Sequence, residues 1–121
     1  MNTTEKERIA ICRVLLDILE EFEPGISIVD CRHYPSLKEK AGLTELDFES
    51  ARTSSVLSSI VTLKSMHYNK KMSMALTICD IYSECTHPTV QHRIAFEILM
   101  NAIEWPISFS EILAINNTGK Y

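Results

Sequence analysis

The apolar side chains Ile11, Leu15, Ile18 and Phe22 recur at intervals of three and four residues, with Arg13, Asp17, Glu20 and Glu21 between them. On a helix that spacing gathers one apolar stripe and leaves the charges on the remaining surface. A strand, with its period of two, would mix both kinds on each face. The same helical spacing returns along most of the chain. Only 3 glycines and 4 prolines punctuate 121 residues, too few turn formers for a sandwich or barrel of many short strands. The chain reads as all-α, a compact bundle of about five to seven helices.

Caps and breakers divide it. Thr4 and Glu7 have the spacing of a capping box, in which each side chain satisfies a free backbone N–H of the first turn. The first helix ends near Glu23-Pro24-Gly25, because proline disfavours helix in the residue before it and glycine frees the turn. Ser27 is placed to cap a second helix, with Asp30 in the first turn, where an acid favours the helix dipole. This helix holds Ile28, Cys31, Leu37 and Ala41, is expected to kink or split at Pro35, and stops at Gly42. Thr44, with Asp47 three residues on, opens a third and longer helix whose apolar side includes Phe48, Ala51, Val56, Ile60 and Leu63. Six small hydroxyl residues line it (Thr53, Ser54, Ser55, Ser58, Ser59, Thr62), either to admit a neighbouring helix closely or as a solvated face.

After a turn at His67-Tyr68-Asn69, Asn69 caps a fourth helix carrying Met72, Ala75, Leu76, Cys79 and Tyr82, which ends around Thr86-His87-Pro88. The fifth runs from Thr89 to Trp105-Pro106, with Val90, Ile94, Ile98 and Ile103 inward. Ser108 and Glu111 form another capping pair for a last short helix bearing Ile112 and Leu113. Residues 116–121 are expected to fray.

A hydrophobic fraction of 45% and a charged fraction of 23% are those of an ordinary globular chain, and the length fits one domain, 1–121. The net charge of −4 and the pI of about 5.5 give no electrostatic reason to expect DNA, RNA or an anionic membrane surface as a partner. The stretch Leu43–Met66 has the look of a recognition helix, yet between Gly42 and Leu63 its only basic side chain is Arg52. No apolar run approaches the roughly 20 residues that span a bilayer, so no membrane insertion is expected. The polar start Met1-Asn2-Thr3-Thr4-Glu5-Lys6-Glu7-Arg8 lacks a secretory pattern, and the expected location is the cytoplasm.

The candidate chemistry is sparse. Cys12, Cys31, Cys79 and Cys85 show neither CxxC nor zinc-finger spacing and read as small buried hydrophobes. Among His33, His67, His87 and His92 no residue stands three or four positions from another His or Cys, so they read as surface or turn residues rather than zinc ligands. No nucleophile elbow, P-loop or dinucleotide fingerprint occurs, and no catalytic residue is assigned.

The halves echo each other 64 residues apart. Val14 and Ile78, Pro24 and Pro88, Ile26 and Val90, Leu43 and Ile107, and Phe48 and Ile112 keep that offset, as do the caps Thr44 with Asp47 and Ser108 with Glu111. Two pseudo-repeated halves, about 4–63 and 69–115, explain this economically. The layout resembles the TerB-like (tellurite-resistance protein B) family, a compact all-helical fold of two similar halves. Each half there carries an Asp-Gly turn, a branched apolar residue, and an acid seven positions after the Asp. Glu23-Pro24-Gly25-Ile26-Ser27-Ile28-Val29-Asp30 matches that register with Glu for Asp and Asp for Glu, and Gly42-Leu43-Thr44 with Phe48 is similar to the second turn. In the second half His87-Pro88-Thr89-Val90 replaces the Asp-Gly turn and Ile94 replaces the acid.

The resemblance implies divalent-metal binding through Glu23 and Asp30, for calcium, magnesium or zinc. Two carboxylates alone cannot supply the six to eight oxygens a calcium ion takes, and both also read simply as a solvated helix end and a dipole partner. Three functions stay open: a non-catalytic interaction or regulatory domain with a protein partner, a metal-binding stress or tellurite-resistance module, and an enzyme without a readable motif. Tyr34, Tyr68, Trp105 and the methionines are candidates for a partner surface, and equally for core.

Overall fold

A computed structural model describes residues 3–22, 25, 27–85, 90–105 and 107–118. Met1, Asn2, Glu23, Pro24, Ile26, Thr86, His87, Pro88, Thr89, Pro106 and the last three residues lie outside the described set, as do the side chains of Glu21, Phe22, Ser83, Glu84, Cys85, Asn117 and Thr118. Among the described residues there are seven α-helices and no strand: α1 (Glu5–Phe22), α2 (Tyr34–Ala41), α3 (Glu45–Arg52), α4 (Val56–Lys64), α5 (Tyr68–Cys85), α6 (Val90–Ala102) and α7 (Phe109–Thr118). The chain divides into two compact units, Met1–Met66 and His67–Tyr121.

In the first unit α1 packs on α3 and α4. Thr4 Oγ1 accepts from the Glu7 N–H at 3.2 Å and Glu7 Oε1 from the Thr4 N–H at 2.9 Å, the reciprocal box expected there. Ile11, Leu15 and Ile18 point inward, joined by Cys12, Val14 and Leu19. Each large aliphatic side chain removed from water on this stripe contributes about 1.5–3 kcal/mol. The second helix is two pieces: a 3₁₀ turn at Ile28–Asp30, entered through Ser27 without a side-chain cap bond, and then α2. Pro35 lies in the first turn of α2, where its missing N–H costs nothing. Gly42 ends α2 in the left-handed conformation (φ 68°), where its N–H reaches the Leu37 carbonyl.

The long third helix is instead broken into α3 and α4. Thr53 Oγ1 and Ser54 Oγ both donate to the Ser50 carbonyl at the end of α3, and Ser55 Oγ then accepts from the Ser58 N–H to start α4. Hydroxyl side chains that compete for backbone partners are the physical reason for the break. Of the hydroxyl residues, Ser59 alone is buried, whereas Thr53, Ser55 and Ser58 are exposed.

In the second unit α5 packs on α7 and α6, and α6 on α7. Helix α5 starts at Tyr68, with His67 Nδ1 accepting from the Asn69 N–H at 3.2 Å, so the capping side chain is His67 and not Asn69. Met74, Ala75, Ile78, Cys79 and Tyr82 are buried, together with Phe96 and Met100 of α6 and Phe109 and Ile112 of α7. Ser108 Oγ accepts from the Glu111 N–H at 3.1 Å, which caps α7 as expected. That helix continues to Thr118, past the point at which fraying was expected.

The inward face of α6 corrects the sequence reading. Val90, Ile94 and Ile98 are 72%, 53% and 65% exposed, and the buried set is His92, Phe96, Met100 and then Ile103. The two stripes are offset by two residues, about 200° around a helix, so they lie on opposite faces. The Phe96 ring meets Phe109 edge-on, centroids 5.3 Å apart at 90°, and this fit turns the aromatic side inward.

Candidate functional site

Cys12, Cys31 and Cys79 are buried, as small hydrophobes would be. Burial above all, and then the neighbouring Asp47 carboxylate, pushes the Cys12 thiol well up from its ordinary value, while Arg8 acts the other way. A thiol held neutral this firmly is a poor nucleophile. His33 and His92 are buried rather than on the surface or in open turns, and His92 stacks on Tyr82 with centroids 4.8 Å apart and 8° between planes. His67 is exposed, and His87 lies outside the described residues.

Of the two proposed metal ligands, Asp30 is an exposed residue at the end of the 3₁₀ turn, and Glu23 lies outside the described residues. Among the described residues no three His, Cys, Asp or Glu side chains come close enough to hold one ion.

One polar cluster has geometry that sequence spacing could not reveal. Asp47 is buried at the start of α3, accepts from the Thr44 N–H at 3.0 Å, and accepts from Arg8 Nε of α1 at 3.2 Å through the same oxygen. Arg8 also donates to the Thr3 carbonyl at 3.0 Å. Thirty-nine residues separate the pair, and no local pattern signals it. The arrangement ties α1 to α3.

The surface departs from an ordinary monomer along α6. Val90, Ile94 and Ile98 stand one helical turn apart on the open outer face of α6, and a shallow groove runs between them and Arg93, Glu97 and Asn101 of the same helix. The three form one continuous exposed apolar stripe, as Leu57 and Val61 form a shorter one on α4. Arg93 is held along the rim, its guanidinium carbon 5.5 Å from the centre of the Phe109 ring. The residues first considered for a partner surface behave differently. Tyr34 and Trp105 are half-buried, Met66, Met74 and Met100 are buried, and Tyr68 is exposed.

A second, smaller hollow of about 100 Å³ lies between α1 and α4, beside Lys6, Ala10 and Ser59. The hydroxyls of Ser59 and Thr62 there donate back to the carbonyls of Ser55 and Ser58 in their own helix. No helix among the described residues is long and apolar enough to cross a membrane. No family model matches the chain, and no curated protein or solved structure does.

Proposed function

We propose that the chain is a non-catalytic interaction domain that receives an apolar helix of a protein partner on the outer face of α6. The observation that carries this reading is the exposed stripe Val90, Ile94 and Ile98 bordering a groove. Helix-in-groove recognition works through anchors at such spacing.

The reading includes a TerB-like architecture of two pseudo-repeated halves. Its support is that α1 and α5 each have 18 residues, while α3 and α7 start 64 residues apart at Glu45 and Phe109, each behind a hydroxyl cap. In that register Ile94 stands 64 positions after Asp30, so an exposed acid in one half has an exposed aliphatic as its counterpart in the other.

A photo-reactive amino acid at Ile94, compared with one at exposed Lys40, tests the reading in living cells. Discrete protein adducts at position 94 and none at 40 are expected; equal labelling at both positions, or none, would overturn it. The metal reading has its own test, a melting curve of metal-stripped protein with calcium, magnesium or zinc added. A rise in Tm that disappears in a Glu23→Ala/Asp30→Ala variant would make those two residues ligands.

A further inference from the structure

We infer that the occupant of this face is a second copy of the chain, with α6 packed antiparallel against its counterpart. The inference rests on the interaction reading above and names its partner.

The charge pattern of α6 selects this occupant. Along α6, Val-Gln-His-Arg-Ile-Ala-Phe-Glu-Ile-Leu-Met-Asn-Ala, the only acidic or basic side chains besides His92 are Arg93 and Glu97. His92 is buried on the inner face, so it does not meet an incoming helix. Arg93 and Glu97 stand one turn apart on one side of the apolar stripe, both exposed and both lining the groove. A two-fold axis level with Ala95 exchanges their heights. Each Arg93 then faces the second copy's Glu97, twice over, and the two Ile94 side chains flank the axis, with Val90 and Ile98 of each helix farther out along the same seam. Parallel packing about a two-fold axis would put the charged flanks of the two copies on opposite sides of the seam and leave Arg93 and Glu97 without a counterpart. A surface that carries its own complement is what an isologous two-fold contact requires.

The size of the contact sets its strength. Thirteen residues make a helix about 20 Å long. Two such faces bury less than the roughly 800 Å² per partner of a standard stable interface. The dimer is therefore weak and concentration-dependent, with a dissociation constant in the micromolar range or above. The rim pairs set its register and direction more than its affinity.

Sedimentation velocity on the full chain, from about 1 µM to about 1 mM, tests this inference. The wild type is expected to pass from monomer to dimer across that range. Ile94→Glu, at an exposed position that leaves the core intact, is expected to stay monomeric with unchanged circular dichroism. Arg93→Glu and Glu97→Arg singly should each weaken association about fivefold, and the double reversal should restore it to within about twofold. Recovery in the double variant is the result that a purely structural role for Arg93 on Phe109 would not produce. A chain that stays monomeric throughout, or a double reversal as weak as the singles, would overturn the antiparallel pair. If the monomeric chain still forms adducts with another protein at position 94, the interaction reading survives without self-association. If it forms none, both fall.

Discussion

In the first unit α1 is tied to α3 by an ion pair, Arg8 to Asp47, that also completes the capping box of α3. In the second unit α5 meets α7 through rings. Phe109 lies 6.1 Å from Tyr82 and 5.3 Å from Phe96, with Arg93 over its face. Sixty-four positions on from Arg8 and Asp47 stand Met72 and Glu111, and Glu111 is exposed. The cationic group buried in the second unit is Lys71, whose Nζ donates to the Ile103 carbonyl at 2.7 Å, just past the end of α6. A cation there complements the negative end of the helix. The two units thus reach similar helix pairs by different means. A directional latch needs both partners in place, whereas an aromatic cluster spreads its energy over several contacts and tolerates the loss of charge.

The comparison can be broken at its strongest point first. Phe109→Ala removes a fully buried ring with several aromatic neighbours and is expected to cost about 3–5 kcal/mol. Denaturant unfolding reads the cost, and hydrogen exchange should show the loss of protection in α5 to α7. Phe48→Ala, whose ring meets Tyr34 at 6.4 Å, should cost about 1 kcal/mol less. Equal costs would erase the distinction between an aromatic unit and a latched one.

The latch comes next. Asp47→Ala removes a cap and a charge-assisted hydrogen bond from a buried position, with an expected loss of about 2–3 kcal/mol. Glu111→Ala at the corresponding exposed position should stay within about 0.5 kcal/mol. Urea midpoints of the two variants decide it, and similar losses would mean that the pair of caps is equivalent after all.

The helix ends give a smaller and opposite pair of effects. Gly42 ends α2 at φ 68°, whereas Glu104 ends α6 at φ 58°. The Trp105 N–H bonds to the Met100 carbonyl at 2.8 Å and the Glu104 N–H to the Asn101 carbonyl at 3.1 Å, the two bonds of a Schellman motif. That motif favours glycine where glutamate stands. Glu104→Gly is expected to raise stability by about 0.5–1 kcal/mol and Gly42→Ala to lower it by about 1 kcal/mol, read as shifts in Tm. No atom would crowd a methyl group at Gly42, so its loss would report backbone strain alone.

A last effect, absent at neutral pH, is a pH dependence that Cys12 gives the first unit. Cys12 stays protonated in the folded chain well above 9.0, its ordinary value, at which an unfolded thiol ionises. Above that pH the unfolded state binds fewer protons than the folded one, so stability falls as pH rises, by up to about 1.4 kcal/mol per unit. Cys12→Ala removes this part of the alkaline slope. The residue 64 positions on is Leu76, which contributes none. Urea unfolding at pH 8 and pH 10 measures the difference between variant and wild type.

Much of the local architecture was legible before any coordinates. The boxes at Thr4 with Glu7 and at Thr44 with Asp47, the cap at Ser108 and the split around Pro35 all rest on interactions between residues three or four apart. The break at Thr53–Ser55 was signalled by its hydroxyl residues yet read as helix, because propensity is a weak guide where side chains compete for backbone carbonyls. Nothing local could pair Arg8 with Asp47, 39 residues apart.

The sequence by itself determined that the chain is helical and where most of its helices start, since periodicity and capping are matters of a single turn. Only the tertiary structure decided which side of α6 is core. That helix carries two apolar stripes half a turn apart, His92-Phe96-Met100 and Val90-Ile94-Ile98, and either satisfies the helical period. The choice depends on the shape of what the helix packs against. The Phe109 ring accepts Phe96 edge-on, and the aliphatic stripe is left on the surface.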